Sequence, residues 1–390
     1  MPDSHNPSDE KDNRPLRVVL ASSQHGWHGG EEQARLLAHG LRDRGHEVHL
    51  FARRGEAFAE RMSAENFPVV ELSGRGRSLR SILQARQAIR RLRPDVLHAN
   101  DSHALTCLIF AGLGLNVPAR IASRRVIYPI RTPAKFRFFA DRVVCVANAT
   151  VEVCRAASIP KEQLALVFSG VDPSRIETDQ DRRIRNQERE KLGLAPETIL
   201  LLCVGKLNEA KGHVDLLRAM PEVLEKYPDL ILALAGDGEL HDSLAAQADQ
   251  LNLSGKVRFL GYRHDIPRLI QAADLYVQPS RSEGLCNAVI DAMFARCPVV
   301  VSARGGLLDL IPPKVDVKPD SDRIFSDYGW LAPPENPVRL AAAIKDALDA
   351  PVEQRKQRTE LARTRAFENF TADRMVDGML QVYRDVLSHR

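Results

Sequence analysis

Two carboxylates, Glu283 and Asp291, stand eight residues apart in the stretch SRSEGLCNAVIDAM, which runs from Ser280 to Met293. The apolar positions 285, 288, 289, 292 and 293 follow helical spacing, so a helix is expected from Leu285 onward. Glu283 and Gly284 then fall in the turn before it. Asp291 lies off the apolar stripe and is expected outside the core. The N–H groups of Leu285, Cys286 and Asn287 would face a phosphate at the helix start. Glu283 could reach sugar hydroxyls, and Asp291 could accept from the two hydroxyls of a ribose. The plain alternative is a turn acid and a surface acid.

Three further stretches carry chemistry of the same kind. In VGKLNEAKGH, Lys206 and Lys211 follow an apolar run and could both neutralise a diphosphate; as a plain feature they are two exposed lysines. In FLGYRHDIPRL, Tyr262 and Arg263 leave a strand where a nucleobase could lie. In HGWHGGEE, Gly29 and Gly30 allow the backbone to approach a ligand beside a helix N-terminus, or make an ordinary tight turn. A dinucleotide site is a weaker reading still, because GxGxxG is missing and the second strand ends LFARR rather than in an acid. No Ser-His-Asp or Cys-His set is evident.

The elements that position these residues alternate. LRVVLAS reads as a buried strand, EEQARLLAHGLRDRG as a helix and HEVHLFA as the next strand. The pattern recurs through FPVVEL, a helix around 78–92, PDVLHAN, a helix around 102–114, ARIAS, RVVCVA and LALVFSG. Residues 172–197 are polar and read as a surface linker with a helix. A second series then runs through TILLLCVG, LILALAG, VRFLG, LYVQPS and CPVVVSA. The expected fold class is α/β, as two Rossmann-like, doubly wound domains facing a central cleft. The expected boundaries are a disordered tail 1–14, an N-terminal domain 15–170, a C-terminal domain 171–372, and a helix 373–390 free to pack back on the N-terminal domain.

Composition bounds the reading. The chain has 390 residues, 44% hydrophobic and 27% charged, as a globular protein of about two domains does. Its apolar runs are too short to span a bilayer, and the polar N-terminus does not resemble a signal peptide. The six cysteines lack metal-ligand spacing and suit a reduced, cytoplasmic compartment. Charge is uneven. Residues 1–170 hold 25 Lys+Arg against 17 Asp+Glu, and the remainder holds 30 against 34. The basic stretches 75–94 and 124–142 suit anionic lipid head groups or an acidic acceptor, or are simply solvated; no motif points to nucleic acid. In 124–142, basic residues interleave with Tyr128, Phe136, Phe138 and Phe139, as at a membrane interface.

Taken together, GGEEQARLLAHGLRDRGHEV, PDVLHAND, VGKLNEAKGHVDLLRAM, LAGDGE, VRFLGYRHDIPRLIQAADLYVQPSRSEG and DAMFARCPVVVSARGGLLDLI resemble glycosyltransferase family 4 in order and spacing, from about Leu16 to Tyr383. The resemblance implies the GT-B architecture and retaining transfer of a sugar from a UDP- or GDP-linked donor, with no metal or other cofactor. It places Gly29 and Gly30 near the donor diphosphate, where Lys206 and Lys211 neutralise charge. It puts Arg263 beside the base, Glu283 on the donor sugar and Asp291 on the ribose. Gly284, Leu285, Cys286 and Asn287 complete the donor side. His98, Asn100, Asp101, His103, Arg124 and Arg125 fall on the acceptor side, and Glu283, Lys211, Lys206 and Arg125 are the candidate catalytic residues.

The chain departs from the family pattern at several positions. Arg125 and Asn100 stand where histidines are common, Arg296 and Cys297 where a glycine is usual, Ser169 for asparagine, Lys206 for arginine and Asp291 for glutamate. The implied mechanism is front-face displacement, in which the leaving diphosphate helps deprotonate the acceptor hydroxyl. The implied acceptor is a cell-envelope glycan or lipid-linked sugar, met peripherally at the inner face of the cytoplasmic membrane. Two rivals share the architecture: a nucleotide-sugar epimerase and a non-catalytic nucleotide-sugar binding protein.

Overall fold

The structure, a computed structural model, describes residues 14–73, 78–177, 182–315 and 324–389. The expected tail therefore lies outside the described residues except for Arg14, whose guanidinium donates to Asp95 at 2.8 Å. Positions 75–77 of the first basic stretch also lie outside them. The chain divides into two compact units, one ending at Gly170 and completed by Ala372–Arg390, the other spanning Val171–Thr371.

Unit 1 holds seven parallel strands: β1 (Arg17–Ser22), β2 (Glu47–Arg53), β3 (Val69–Leu72), β4 (Val96–Ala99), β5 (Ala119–Arg124), β6 (Arg142–Cys145) and β7 (Leu164–Leu166). Their order is β3-β2-β1-β4-β5-β6-β7. Val18 pairs with Val48 on one side and Val96 on the other, so β1 is central. Every residue of β4 is buried, His98 included, as in a parallel strand covered on both faces.

The last helix, Ala372–Ser388, buries Met375, Val376, Met379, Leu380 and Tyr383 in this unit's core. Gly40, on the helix Gly29–Asp43, makes that packing possible. A Cβ there would stand 2.4 Å from Val376, so only glycine lets the two helices approach. Arg44 seals the contact through Asp373 and Asp377.

Unit 2 holds six parallel strands: β8 (Leu200–Val204), β9 (Ile231–Ala235), β10 (Val257–Gly261), β11 (Leu275–Gln278), β12 (Val299–Ser302) and β13 (Trp330–Ala332), ordered β10-β9-β8-β11-β12-β13. The strand order reverses between β8 and β11, as it does between β1 and β4 in unit 1. At such a switch point the loops after the two strands diverge and leave room for a ligand.

Two expectations are corrected here. The polar stretch 172–197 is an integral part of unit 2. Its helix Arg183–Lys191 buries Ile184, Glu188 and Arg189. Arg185 and Arg189 donate to the Asp274 carboxylate, which also accepts from the Leu200 N–H. Polarity there marks ion pairing on the inner face of the helix as well as exposure of its outer face. The helix expected from Leu285 begins instead at Asn287, with Cys286 as its cap residue. Leu285 counts as apolar in the spacing but belongs to the preceding loop.

Candidate functional site

In unit 2, three loops meet at the carboxyl edge of the sheet. The loop after β8 ends at Gly212, whose φ is +70°. A Cβ there would stand 2.0 Å from the Pro279 carbonyl oxygen, so this loop and the one after β11 touch backbone to backbone. The N–H groups of Arg281 and Ser282 donate to the Ala210 carbonyl at 2.9 and 3.1 Å. Arg281 also donates twice to Asp215, at 2.7 and 2.8 Å, fixing the turn to the helix His213–Lys226. From the loop after β12, the Gly306 N–H donates to the Glu283 carbonyl at 3.0 Å.

This scaffold holds Glu283. Its carboxylate accepts from the Lys211 ammonium at 2.6 Å and from the Ser280 hydroxyl at 3.2 Å. A buried relay lies behind it. Tyr276 donates to Gln278 at 2.7 Å, and Gln278 donates to Ser280 at 2.8 Å. Burial alone would lower the Lys211 pKa, but the adjacent Glu283 carboxylate outweighs it and the pKa is raised. The lysine therefore stays charged at neutral pH. Lys211 and Glu283, expected to serve different parts of a ligand, form one ion pair in this structure. Beside it the buried Cys286 thiol is pushed up to about 12 by burial and by Glu283, so it stays protonated. Gly284, Leu285 and Asn287 are half-buried next to it.

The other donor-side candidates lie outside this pair. Lys206 is exposed and sits 3.4 Å from the equally exposed Glu239. Arg263 is bound twice by Asp265, at 2.8 and 2.5 Å, which raises its pKa. Asp291 corrects an expectation. It is 2% exposed and lies 3.6 Å from Arg175. The helix Asn287–Phe294 is covered on several sides, by the helices Ile266–Ala272 and Val352–Asn369 and by β11 and β12. Positions off its apolar stripe are therefore buried too. Arg175, Arg281, Asp215, Gln278 and Ser280 were missed from sequence. For Arg281 and Ser280 the signal was their place inside the quoted stretch.

In unit 1 the polar residues of the carboxyl edge form a separate network. Asn100 follows β4. It donates to the Gly30 carbonyl at 3.0 Å and to Ser22 at 3.3 Å, and accepts from the Arg125 Nε at 2.9 Å. Ser22 donates to Glu31 at 3.1 Å, and burial raises the Glu31 pKa. Burial likewise lowers Arg125 to about 10, leaving it charged at neutral pH. Gly29 opens the helix beside this cluster.

Several acceptor-side candidates have structural duties instead. His98 is fully buried, with Nδ1 2.6 Å from the Tyr383 hydroxyl and Nε2 2.8 Å from Ser123, so neither ring nitrogen is open to a substrate. The cause is its place inside a central strand covered on both faces. Asp101 caps the helix Ser102–Gly112 by accepting from the N–H groups of His103 and Ala104 at 2.8 and 2.9 Å. The His103 ring is left exposed. Arg124 is buried and donates to the Tyr128 carbonyl. Of the aromatic residues in 124–142, Phe136 and Phe139 are core residues while Tyr128 and Phe138 are exposed, so the expected aromatic surface is half its apparent size.

The chain matches known families on both units. Residues 184–365 match Glycosyl transferases group 1, and residues 27–175 match Glycosyltransferase Family 4. An uncharacterized glycosyltransferase of Methanocaldococcus jannaschii, MJ1607, is 32% identical over 192 residues, covering 46% of this chain and 49% of that protein. A UDP-Gal:alpha-D-GlcNAc-diphosphoundecaprenol alpha-1,3-galactosyltransferase of Escherichia coli is 29% identical over 181 residues, covering 45% and 46%. The chain thus spans about half the length of these curated relatives. The crystal structure of Anabaena Alr3699/HepE in complex with UDP and glucose superposes with a TM-score of 0.80 at 20% identity, over 94% of this chain and 99% of that one, a likeness of fold. Both units thus match glycosyltransferase families, and each folds as a parallel α/β sheet, as in the GT-B class.

Proposed function

We propose that the protein is a retaining glycosyltransferase that moves a sugar from a nucleotide-sugar donor to a hydroxyl of a lipid-linked or cell-envelope glycan. The observation that carries this reading is the Lys211–Glu283 pair, held at 2.6 Å by three loops at the switch point of unit 2. A charged lysine there suits the diphosphate, whose negative charge grows as the glycosyl bond breaks. A carboxylate whose other oxygen is free to accept suits sugar hydroxyls. Donor binding would exchange the lysine's partner from carboxylate to phosphate and release Glu283 to the sugar. The acceptor proton would pass to the departing phosphate oxygen, so no protein base and no metal is required. Lys206 and the amides after Gly284 would add charge stabilisation from the rim.

The acceptor class rests on unit 1. The helix Leu79–Leu92 exposes Leu79 and Leu83, four residues apart and so on one face, beside the exposed Arg80, Arg90 and Arg91. The neighbouring helix exposes Phe110, and Leu113 just beyond its end is also exposed. Arg86 ties the two helices through the Ala111 and Leu113 carbonyls. Apolar side chains ringed by arginine suit the surface of an anionic membrane, where each basic residue contributes about 1 kcal/mol. Among the described residues no helix is long and apolar enough to cross a membrane, so contact would be peripheral, on the cytoplasmic leaflet. The Escherichia coli relative acts on an acceptor carried by a diphosphate-linked lipid, which is the chemistry proposed here.

The test is turnover of UDP- and GDP-sugars with and without acceptor. Acceptor-dependent release of nucleoside diphosphate supports transfer. Conversion of the donor sugar without acceptor would instead establish the epimerase. Donor binding with no turnover would leave only the binding protein. Sedimentation with anionic vesicles tests the membrane: binding should fall steeply with salt, and charge reversal at Arg80, Arg90 and Arg91 should abolish it.

A further inference from the structure

A cavity of about 370 Å³ lies in unit 1, at the amino ends of β5 and β6. The six residues of β5, at about 3.3 Å each, put roughly 20 Å between this edge and the Asn100–Arg125 edge. It is therefore a site apart from the one described above, and within the size range of small-ligand pockets.

Three guanidinium groups line it, from Arg120, Arg137 and Arg142. One carboxylate, Asp141, faces them, and it already accepts from the Arg120 N–H at 2.8 Å. Positive charge is in excess. Two of the arginines are held against aromatic rings: Arg120 lies 5.4 Å from the Phe139 ring centre and Arg137 lies 5.8 Å from that of Phe138. The Arg120 guanidinium, held against the buried Phe139, loses little freedom on binding an oxyanion. Phe138 is 83% exposed and gives the rim an apolar edge.

Two buried groups in the lining lack a hydrogen-bond partner among the described residues. They are Nε of Arg120, a donor, and Oε1 of Gln163, an acceptor. Buried polar groups are normally satisfied, so an unmet donor and an unmet acceptor on residues lining one cavity point to a ligand that offers both. Phosphate oxygens accept from arginine, and hydroxyl groups donate to an amide oxygen.

We propose that this cavity binds a phosphorylated polyol, with its phosphate among Arg120, Arg137 and Arg142 and a hydroxyl on Gln163. A free sugar phosphate and the phosphoglycerol head of a lipid share this chemistry. The site is independent of the donor site, because every residue it uses belongs to unit 1 and to the opposite edge of the sheet.

The experiment uses the full chain and two probes. Glucose 6-phosphate is titrated calorimetrically, and vesicles of phosphatidylglycerol are compared with vesicles of phosphatidylcholine by flotation. The variant Arg120→Gln/Arg142→Gln should weaken binding of the responding probe at least tenfold while changing UDP affinity less than twofold. Response to glucose 6-phosphate assigns a free ligand, and response to phosphatidylglycerol alone assigns a lipid head group. If neither probe binds, or if binding persists in the variant, the proposal fails. Should the double variant melt early, Arg142→Gln combined with Gln163→Leu replaces it, and the same loss is required. Failure of both UDP and GDP to bind would overturn the donor reading without touching this one.

Discussion

The carboxyl edges of the two sheets handle polar residues in opposite ways. In unit 1 nearly every candidate is bound to its own scaffold: His98 to Tyr383 and Ser123, Asp101 to a helix start, Asn100 to the Gly30 carbonyl. In unit 2 the scaffold bonds run mostly through backbone groups and through Arg281–Asp215, leaving Lys211 and Glu283 bonded chiefly to each other. An ion pair can exchange partners for a charged ligand, whereas a buried histidine bonded at both nitrogens cannot without loosening its core. The site most ready for a charged ligand is thus on unit 2, and the edge of unit 1 is a preformed wall in which Arg125 is bonded to Asn100.

The comparison breaks most readily at the ion pair. Lys211→Ala should destabilise the protein by about 3 kcal/mol, because a largely buried carboxylate then loses its cation. It should also weaken UDP more than uridine; equal weakening would count against diphosphate contact. Calorimetry with both ligands decides.

Next in size is Glu283→Gln. Here the fold should persist and kcat/KM should drop by the roughly 1.5–3 kcal/mol of one charged hydrogen bond, or about 10- to 150-fold. A value within threefold of the parent would remove Glu283 from the donor sugar.

A pH experiment sharpens the contrast from the side of unit 1. Burial, then Arg125, lowers the His98 pKa from 6.5 to about 3, and burial, then Lys211, lowers that of His213 in unit 2 to about 4. Below pH 6.5 the unfolded chain takes up protons that the folded chain does not. Each histidine should therefore reduce stability as pH falls from about 6.5 toward 4, by up to about 1.4 kcal/mol per pH unit. Replacing His98 with Gln should flatten that slope in urea unfolding measured between pH 7 and 5, whatever it does to stability at pH 7. An unchanged slope would show that His98 is not the buried neutral group described.

The smallest effect belongs to the rim. Lys206→Ala removes an exposed pair with Glu239 and should change the melting free energy by less than about 1 kcal/mol. A loss of UDP affinity of severalfold with stability unchanged would confirm a role at the ligand. Arg296→Gly should be similarly mild, since Arg296 holds φ at +55° but pairs with Glu360 at 2.5 Å. Glycine relieves the left-handed strain and loses the surface pair. That φ also gives a physical reason for the glycine usual at this turn in the family.

Much of the fold was legible because it is local. A strand buried on both faces must be a continuous apolar run, as in Val18–Ala21 and Leu200–Cys203, and each run is followed by a helical stripe. Lys211 and Glu283 were legible for the same reason, since each follows such a strand within a few residues. Asp291 was misjudged, because the apolar stripe tells which face meets the first neighbour and not how many neighbours there are. Arg175 was invisible, being 116 positions from Asp291 in a polar stretch that reads as a linker.

The sequence by itself determined the alternation of strand and helix, the division into two sheets and the residue types available at each carboxyl edge. These follow from side-chain period and from the turn chemistry of a few adjacent residues. Only the tertiary structure decided which polar groups are engaged. It set Lys211 against Glu283 across 72 positions, His98 against Tyr383 across 285, and the last helix against Gly40 in unit 1. Such pairings depend on loop closure and on the burial of whole faces, which no window of neighbouring residues records.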